Sequence, residues 1–504
     1  MPDYMNDQQL DSELIIGLVS AVGSETSLVI DLLKERLGCA GYKVVIVKIS
    51  RDVIPAIPEL CTVAPYGDDK YGRISNLMDA GNESRMNAKD DSILALGAAG
   101  CIYGIRTGEG DESHALRKTA IIIDSLKRPE EVERLRLIYP SGFVLMGVHE
   151  KEGRRLDHLT KDQGISLDNA KKLIQRDGEE SKIEHGQRVN KTFHLADFFV
   201  RISDNHDRLR CDVKRIVELW FGNHFITPTF DEHAMFLAFS AGLRSADLSR
   251  QVGAVVARDS QILATGANDC PQAGGGLYWP TRQGGACIGD ALGGRDYMRP
   301  DGDSNRMEQN RIIDKIVKDG GSEEYGLDGE KLRTLLQRSR IRDLTEYGRV
   351  VHAEMEAMLS CARSGASIVG ATLYSTTFPC HNCAKHIIAA GIKRVVYVEP
   401  YPKSKTLEFH DDSIATGPTG ESGGRVVFTP FVGVGPRRFF DLFSMQLGST
   451  YPLIRKDNDS GKRLEWNIES AQLRIQMKPV SYLDLEKQAC ELFDKISTAP
   501  EAKP

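Results

Sequence analysis

Two short motifs hold the residue types that could do chemistry. His352 and Glu354 form a His-x-Glu motif, and Cys380 and Cys383 form a Pro-Cys-x-x-Cys motif whose first cysteine lies 28 residues after the histidine. One imidazole and two thiolates are good zinc ligands, and three protein ligands leave the fourth tetrahedral position open for water. Glu354 is a carboxylate that could accept that water's proton. The pattern predicts a catalytic zinc centre.

Alternating helices and strands must position these residues. The apolar pattern predicts a helix over 352–364, a strand over 371–375, a helix over 380–390 and a strand over 394–398. Both cysteines fall in the first turn of a helix, where unpaired N–H groups stabilise a thiolate. The residues alone leave two alternatives open, a redox Cys-x-x-Cys pair or a structural zinc knuckle beside an unrelated His-x-Glu.

The paired motifs are the signature of zinc deaminases, and residues 230–402, apart from an insertion, resemble the cytidine and deoxycytidylate deaminase superfamily. The resemblance implies that Zn²⁺ is the cofactor, with His352, Cys380 and Cys383 as ligands. Glu354 would take a proton from water, deliver it to N3 of cytosine as hydroxide attacks C4, and then protonate the departing ammonia. The implied activity is zinc-dependent hydrolytic deamination.

The same resemblance implies further contacts with substrate. Asn268 would bind the deoxyribose 3′-hydroxyl, Gln251 would line the pocket, and Phe378 would lie near the base. The residue types also fit plainer roles, because Gln251 and Asn268 suit a hairpin and a turn, and Phe378 suits a core. Glu356 departs from the asparagine usual at its position in deoxycytidylate deaminases, which puts the contacts at the phosphate end in doubt.

Two basic segments could bind a phosphate tail. Lys403 lies in 401–405 and Arg437 in 435–438, and cations of this kind bind di- or triphosphates. A solvated surface cluster is the alternative. Cys270 and Cys287 could form a second zinc site, but no histidine pair at ligand spacing accompanies them.

The first part of the chain reads as a doubly wound α/β domain. Continuous apolar runs predict buried strands, separated by charged helical segments, over 14–20, 43–49, 119–124, 143–148 and 196–202. Segment 17–26, with Gly17, Gly23 and Ser24, follows a strand and opens a helix, as a phosphate-binding loop does. It is one residue too long and lacks the usual lysine. Asp124 could hold Mg²⁺, and a purely structural role for all four residues is the alternative.

These patterns predict two α/β domains and an extension. The first, over 1–225, resembles a P-loop nucleotide kinase with a degenerate loop. The second, over 229–450, resembles the three-layer α/β/α fold of cytidine deaminases, with a glycine-rich insertion at about 270–345 that could be a lid or an assembly arm. A C-terminal extension over 451–504 follows.

Composition excludes several classes of protein. The 504 residues carry a net charge of −6, which gives no overall attraction for nucleic acid. No run approaches about 18 apolar residues, so the sequence predicts no membrane segment. Cysteine is sparse, which favours a reducing, cytoplasmic location.

Over nearly its full length the chain resembles the anti-phage deoxycytidylate deaminases of bacteria. That resemblance implies conversion of dCTP and dCMP to dUTP and dUMP, depletion of the dCTP pool during infection, a nucleotide effector at the first domain, an inhibitory small RNA in some members, and a homo-oligomer, often a hexamer. Two alternatives stay open. They are a polynucleotide (DNA or RNA) cytosine deaminase and an inactive nucleotide-sensing regulator.

Overall fold

In the computed structural model of the chain, two units are separated at Glu232 and again at Thr429. The first unit comprises residues up to Glu232 together with those from Pro430 onward, and the second comprises His233–Thr429. The structure describes residues 12–64, 67, 69–108, 115–180, 185–283, 287–300, 302–321, 325–399, 404–416, 423–448, 451–457, 459–476 and 479–497.

The first unit is built on a parallel sheet of five strands in the order β5-β4-β1-β3-β2. The strands are β1 (Leu14–Ser20), β2 (Lys43–Lys48), β3 (Thr119–Leu126), β4 (Phe143–Glu150) and β5 (Phe198–Ile202). Every residue of β1 is buried, as expected for a central parallel strand covered on both faces. The topology confirms the predicted doubly wound α/β fold.

Eight helices connect and cover these strands. They are α1 (Thr26–Cys39), α2 (Lys70–Ala88), α3 (Ile93–Gly108), α4 (Pro129–Ile138), α5 (Glu152–Asp157), α6 (Leu167–Glu179), α7 (Val189–Phe193) and α8 (His206–Trp220).

The second unit has a mixed sheet of six strands in the order β12-β13-β11-β10-β6-β7. After α9 (Phe230–Gly242), the hairpin β6 (Gly253–Arg258) and β7 (Gln261–Ala267) is antiparallel, and β10 (Thr372–Thr377) pairs antiparallel with β6 and parallel with β11 (Arg394–Glu399). The remaining elements are β8 (Thr281–Gln283), β9 (Cys287–Gly289), α10 (Ser304–Gly320), α11 (Gly329–Gln337), α12 (Ala353–Ser364), α13 (His381–Ala389), α14 (Thr406–Phe409), β12 (Ile414–Thr416) and β13 (Val426–Pro430). This arrangement confirms the predicted cytidine-deaminase-like α/β fold.

The insertion predicted near 270–345 holds the small β8–β9 hairpin and two helices, α10 and α11, that pack on each other. Asp303 and Asp328 cap these helices, each carboxylate accepting from two backbone N–H groups of the first turn. α11 has no buried residue, although Leu332, Leu335 and Leu336 recur in it at helical spacing.

The C-terminal segment differs from the predicted division at 450. From Pro430 onward the chain belongs to the first unit, where β14 (Gly433–Val434) pairs antiparallel with β5 and extends its sheet. Two helices follow, α15 (Phe439–Phe443) and α16 (Pro479–Ser497), and α16 packs on α3. The physical reason is that the open edge of β5 offers backbone hydrogen bonds to the returning chain.

A buried ion cluster fixes α16 to the first unit. The Arg106 guanidinium lies 2.6 Å from a Glu13 oxygen and 2.8 Å from a Glu486 oxygen, and all three side chains are fully buried. The Tyr139 hydroxyl donates to Glu486 at 2.9 Å. Burial raises the pKa of the Glu486 carboxyl, and its bond to Arg106 opposes that shift. The cluster joins α3, α16 and the residue before β1.

Glu232 joins the two parts of the first unit. Its buried carboxylate accepts from the backbone N–H of Val434 at 2.8 Å and is bound by Arg215 at 2.7 and 2.8 Å. With Thr229 it also forms a capping box, in which each side chain accepts from the other's backbone N–H. The chain therefore leaves and re-enters the first unit at neighbouring points.

The helices in the described ranges include none with the length and apolar character needed to cross a membrane.

Candidate active site

The structure brings together the three predicted zinc ligands at the start of two helices. His352 is the N-cap residue of α12, Cys380 is that of α13, and Cys383 lies in the first turn of α13. His352 Nδ1 lies 3.4 Å from Cys380 Sγ and 3.3 Å from Cys383 Sγ. Within the described ranges, this is the only group of three or more such donors close enough to share a metal ion.

The donor set fits zinc. Zinc distances of about 2.1 Å to nitrogen and about 2.3 Å to sulfur place tetrahedral ligands roughly 3.6 Å apart, close to the separations found here. Hydrogen bonds from Cys383 and then His352 lower the pKa of the Cys380 thiol to about 3, so one thiolate is already favoured. The bond to Cys380 raises the pKa of His352 to about 9.

Glu354 lies beside this cluster, in the first turn of α12. Its side chain is buried, with Oε1 accepting from Ser375 Oγ at 3.2 Å and Oε2 lying 3.5 Å from Cys383 Sγ. Burial raises the pKa of the Glu354 carboxyl, with the charge of His352 opposing the shift. A buried carboxyl with a raised pKa, next to a metal-ligand cluster, is suited to carrying a proton between water and substrate.

Close packing of the hairpin on α12 sets the position of His352 and Glu354. A Cβ on Gly266 of β7 would collide with the backbone of Ala353 and Ala357. Only glycine permits this approach of strand to helix. At its other end α12 stops at Gly365, which adopts the left-handed conformation with φ of 73°.

Ser375 is a site residue that the motifs do not reveal. It lies on β10, is fully buried, and receives a weak hydrogen bond at 3.4 Å from the Thr377 backbone N–H while donating to Glu354. The available signal is a run of three hydroxyl residues, 375–377, at the end of β10 and shortly before Pro379. Buried hydroxyls at a strand end need partners, and here the partner is the candidate catalytic carboxylate.

The predicted sugar-binding residues are tied into the local backbone. The Asn268 side chain accepts from Val252 N at 2.6 Å and donates to Arg250 O at 2.8 Å. Gln251 donates to two carbonyl oxygens, those of Leu243 and Ser245. Both side chains therefore hold the segment that leads into β6.

Phe378 is part of the second unit's core. Its ring packs edge-on against Tyr397 and Phe428, with centroid separations of 4.8 and 5.4 Å. Glu356, the departure from the family pattern, lies 2.5 Å from Arg363 on the same helix. Its negative charge is thus paired within α12.

The predicted phosphate-binding cations are Lys403 and Arg437. Lys403 lies outside the described residues. Arg437 belongs to the first unit, where its Nε lies 3.9 Å from the Asp197 carboxylate. Cys270 is buried with its Sγ 3.5 Å from Asp296, whereas Cys287 is exposed. Neither belongs to a metal-ligand group in the described part of the chain.

The loop residues predicted for the first unit have separate roles. Gly17 lies inside β1, where a Cβ would come within 2.7 Å of Leu126, so its small size serves packing. Gly23 turns the chain with a φ of 82°. Ser24 Oγ and Asp124 Oδ1 are buried and have no hydrogen-bond partner among the described residues.

Comparison with known proteins agrees with the site geometry. Residues 228–399 match the family model for the cytidine and deoxycytidylate deaminase zinc-binding region. Over 171 residues the chain is 33% identical to the deoxycytidylate deaminase of Enterobacteria phage T4, covering 34% of this chain and 77% of that protein. Over 186 residues it is 27% identical to the human deoxycytidylate deaminase, covering 37% of this chain and 69% of that protein.

A solved structure is also similar. The dCMP deaminase of cyanophage S-TIM5, in complex with dCMP and dUMP, is 21% identical, with 41% of this chain and all of that chain covered and a TM-score of 0.24. The assignment rests on the sequence matches and on the cluster around His352, not on this likeness. The chain belongs to the cytidine and deoxycytidylate deaminase family of zinc-dependent enzymes.

Proposed function

We propose that the second unit catalyses the hydrolytic deamination of cytosine deoxynucleotides, converting dCMP and dCTP to dUMP and dUTP with release of ammonia. The observation that carries the proposal is the buried Glu354 carboxylate beside the His352, Cys380 and Cys383 donors. The names of the relatives, deoxycytidylate deaminases from a phage and from human, support the substrate class.

In this proposal the side chains of the site have three roles, which are metal binding, proton transfer and positioning. His352, Cys380 and Cys383 hold a zinc ion, and the chemistry that zinc supplies in such a set is activation of water. Glu354 takes a proton from the attacking water and hands it to N3 while the C4–O bond forms. It then carries the second water proton to the amino group, so that ammonia leaves as the C4–N bond breaks. Ser375 holds one carboxylate oxygen in place throughout.

The remaining assignments concern substrate binding. The Asn268 amide retains one N–H hydrogen beyond its bond to Arg250, and we assign that hydrogen to the deoxyribose 3′-hydroxyl. Gln251 shapes the adjoining segment through its two bonds to backbone carbonyls. Triphosphate use, a homo-oligomeric state and a role in depleting dCTP during phage infection rest on the resemblance of the whole chain to anti-phage deaminases.

The test compares the wild type with Glu354→Ala and with a matched control, Glu356→Gln, on the same helix. Each protein is incubated with dCMP, dCTP, CMP, CTP, deoxycytidine and a single-stranded oligonucleotide, uracil products are separated by chromatography, and bound zinc is measured. We expect deoxynucleotide turnover by the wild type, a loss of at least about 10²-fold in Glu354→Ala with zinc retained, and near-normal rates in Glu356→Gln.

Two results would contradict the proposal. Turnover of the oligonucleotide alone would favour the polynucleotide deaminase. A zinc-loaded wild type that deaminates none of the six substrates would favour the nucleotide-sensing regulator.

A further inference from the structure

The turn between β1 and α1, residues 20–26, lies where phosphate-binding loops present backbone N–H groups to phosphate oxygens. Here two of those groups donate to carboxylates of the protein itself. Val22 N donates to Asp177 Oδ2 at 2.9 Å, and Glu25 N donates to Glu150 Oε2 at 2.9 Å. Carboxylate oxygens therefore stand where phosphate oxygens would bind.

Two further N–H groups of the turn have acceptors inside it. Ser24 N donates to Ala21 O at 3.2 Å, and Thr26 N donates to Ser24 O at 3.0 Å. Four of the five N–H groups from Val22 to Thr26 thus have protein acceptors. A phosphate could bind this turn only by displacing some of these acceptors.

The two carboxylates are buried, but only Glu150 is hydrogen-bonded through both oxygens, because Asp177 Oδ1 has no partner among the described residues. Glu150, at the end of β4, has a side chain that is 1% exposed, and its other oxygen accepts from Arg154 Nε at 3.1 Å. Asp177, on α6, is 6% exposed. Arg155 closes the same turn by donating to Val22 O at 2.9 Å. Burial of two carboxylates is costly unless they are hydrogen-bonded, so their use by the turn is a built feature.

A cation also occupies the place where a metal would meet Asp124. Lys48 Nζ lies 3.5 Å from Asp124 Oδ2, and Lys127 Nζ donates to Ser20 O at 2.7 Å. The acidic group that could hold Mg²⁺ is therefore paired with an ammonium group. On the anion side the N–H donors are used by the protein, whereas on the cation side only Asp124 Oδ2 is paired, and Oδ1 has no hydrogen-bond partner among the described residues.

We propose that the turn of the first unit is an anion site filled from within, in which Asp177 and Glu150 replace phosphate oxygens and exclude nucleoside polyphosphates from the resting protein. A polyphosphate brought to the turn would meet two buried negative charges and find the N–H donors already used. Replacing both carboxylates removes their negative charge and leaves the Val22 and Glu25 N–H groups without protein acceptors. The turn can then bind a polyphosphate.

The test uses the full-length, zinc-loaded protein and isothermal titration with inorganic tripolyphosphate and with ATP. The wild type is expected to give no saturable binding of either probe. The double variant Asp177→Ala/Glu150→Ala is expected to bind both at least about tenfold more tightly than the wild type. The control, Asp31→Ala/Glu35→Ala, removes two exposed carboxylates from α1, so it changes net charge equally but leaves the turn intact.

Saturable binding of tripolyphosphate by the wild type would overturn the proposal, and so would a folded double variant that binds no better than the control. If the double variant does not fold, the proposal is tested instead by hydrogen exchange of residues 20–28 in the wild type. The proposal requires the same protection with and without tripolyphosphate, and slowed exchange upon its addition would refute it.

Discussion

At the scale of single residues, the candidate site depends on a carboxylate that is held through one oxygen. Glu354 receives a hydrogen bond from Ser375 and lies against Cys383. A general base in this position must swing little between water and substrate, because small displacements of a catalytic group reduce the rate strongly. Ser375 is therefore a positioning residue for Glu354.

Ser375→Ala should lower kcat about tenfold and leave KM within about twofold, because the lost hydrogen bond is worth about 1.4 kcal/mol in orienting Glu354 and touches no substrate group. Steady-state kinetics with dCMP measure the effects on kcat and on KM separately. Ser375→Thr retains the hydroxyl and should recover most of the rate. A rise in KM with unchanged kcat would instead indicate a role in binding substrate.

Much of the site could be predicted at this scale, because its residues fall in two short motifs, each at the start of a helix. His352 and Glu354 are separated by one residue, and Cys380 and Cys383 by two. The bonds of Asn268 to Val252 and Arg250 could not be predicted, since a carboxamide that suits a sugar hydroxyl equally suits a backbone.

At the scale of elements, the contact between β7 and α12 sets the position of the catalytic machinery. A Cβ on Gly266 would overlap the backbone of α12, and two backbones cannot yield as a flexible side chain could. The helix would have to shift outward. Its N-terminal end carries His352, so the shift would reach the metal ligands.

Gly266→Ala should lower the free energy of unfolding by about 1–3 kcal/mol and reduce zinc occupancy. Urea unfolding and metal analysis measure the two effects. Gly289→Ala is the control, because a Cβ there meets no atom within 4 Å. Normal zinc content and normal stability in Gly266→Ala would show that the contact does not fix the helix.

Elements were predictable where apolar runs were long. Strands β1, β3, β4 and β5 could be predicted directly from the sequence because nearly all of their residues are buried. The edge strand β2 is only partly buried, but its run of valine and isoleucine residues still marked it. The helices of the insertion could not be predicted in this way, since α11 buries no residue and α10 buries only Gln309 and Ile313. Their aspartate N-caps were an available signal.

At the scale of the whole molecule, the return of the chain to the first unit could not be predicted from the sequence. The cluster around Arg106 joins residues 93 and 380 positions apart, and no local pattern encodes such a pairing. Its cost if broken is large, because a buried carboxylate without its cation is poorly solvated. This cluster therefore links the stability of the first unit to α16.

Arg106→Leu should destabilise the first unit by about 3–5 kcal/mol, because Glu13 and Glu486 would remain buried without their cation. Chemical unfolding measures the loss, and hydrogen exchange over 479–497 should show α16 released first. Arg51→Leu, at an exposed pair with Asp52, is the control and should change stability little. Unchanged exchange in α16 would mean that other contacts hold the helix.

The bond between Glu232 and Val434 has a consequence for synthesis on the ribosome. The chain emerges from its N-terminus, so residues 233–429 leave the exit tunnel before β14 and α16 are available to complete the first unit. A nascent chain interrupted after residue 429 would carry every residue of the zinc cluster but a first unit with an open sheet edge. In such a fragment the edge of β5 would be free to pair with other chains, so the fragment would be prone to aggregate. It would already contain the His352, Cys380 and Cys383 donors.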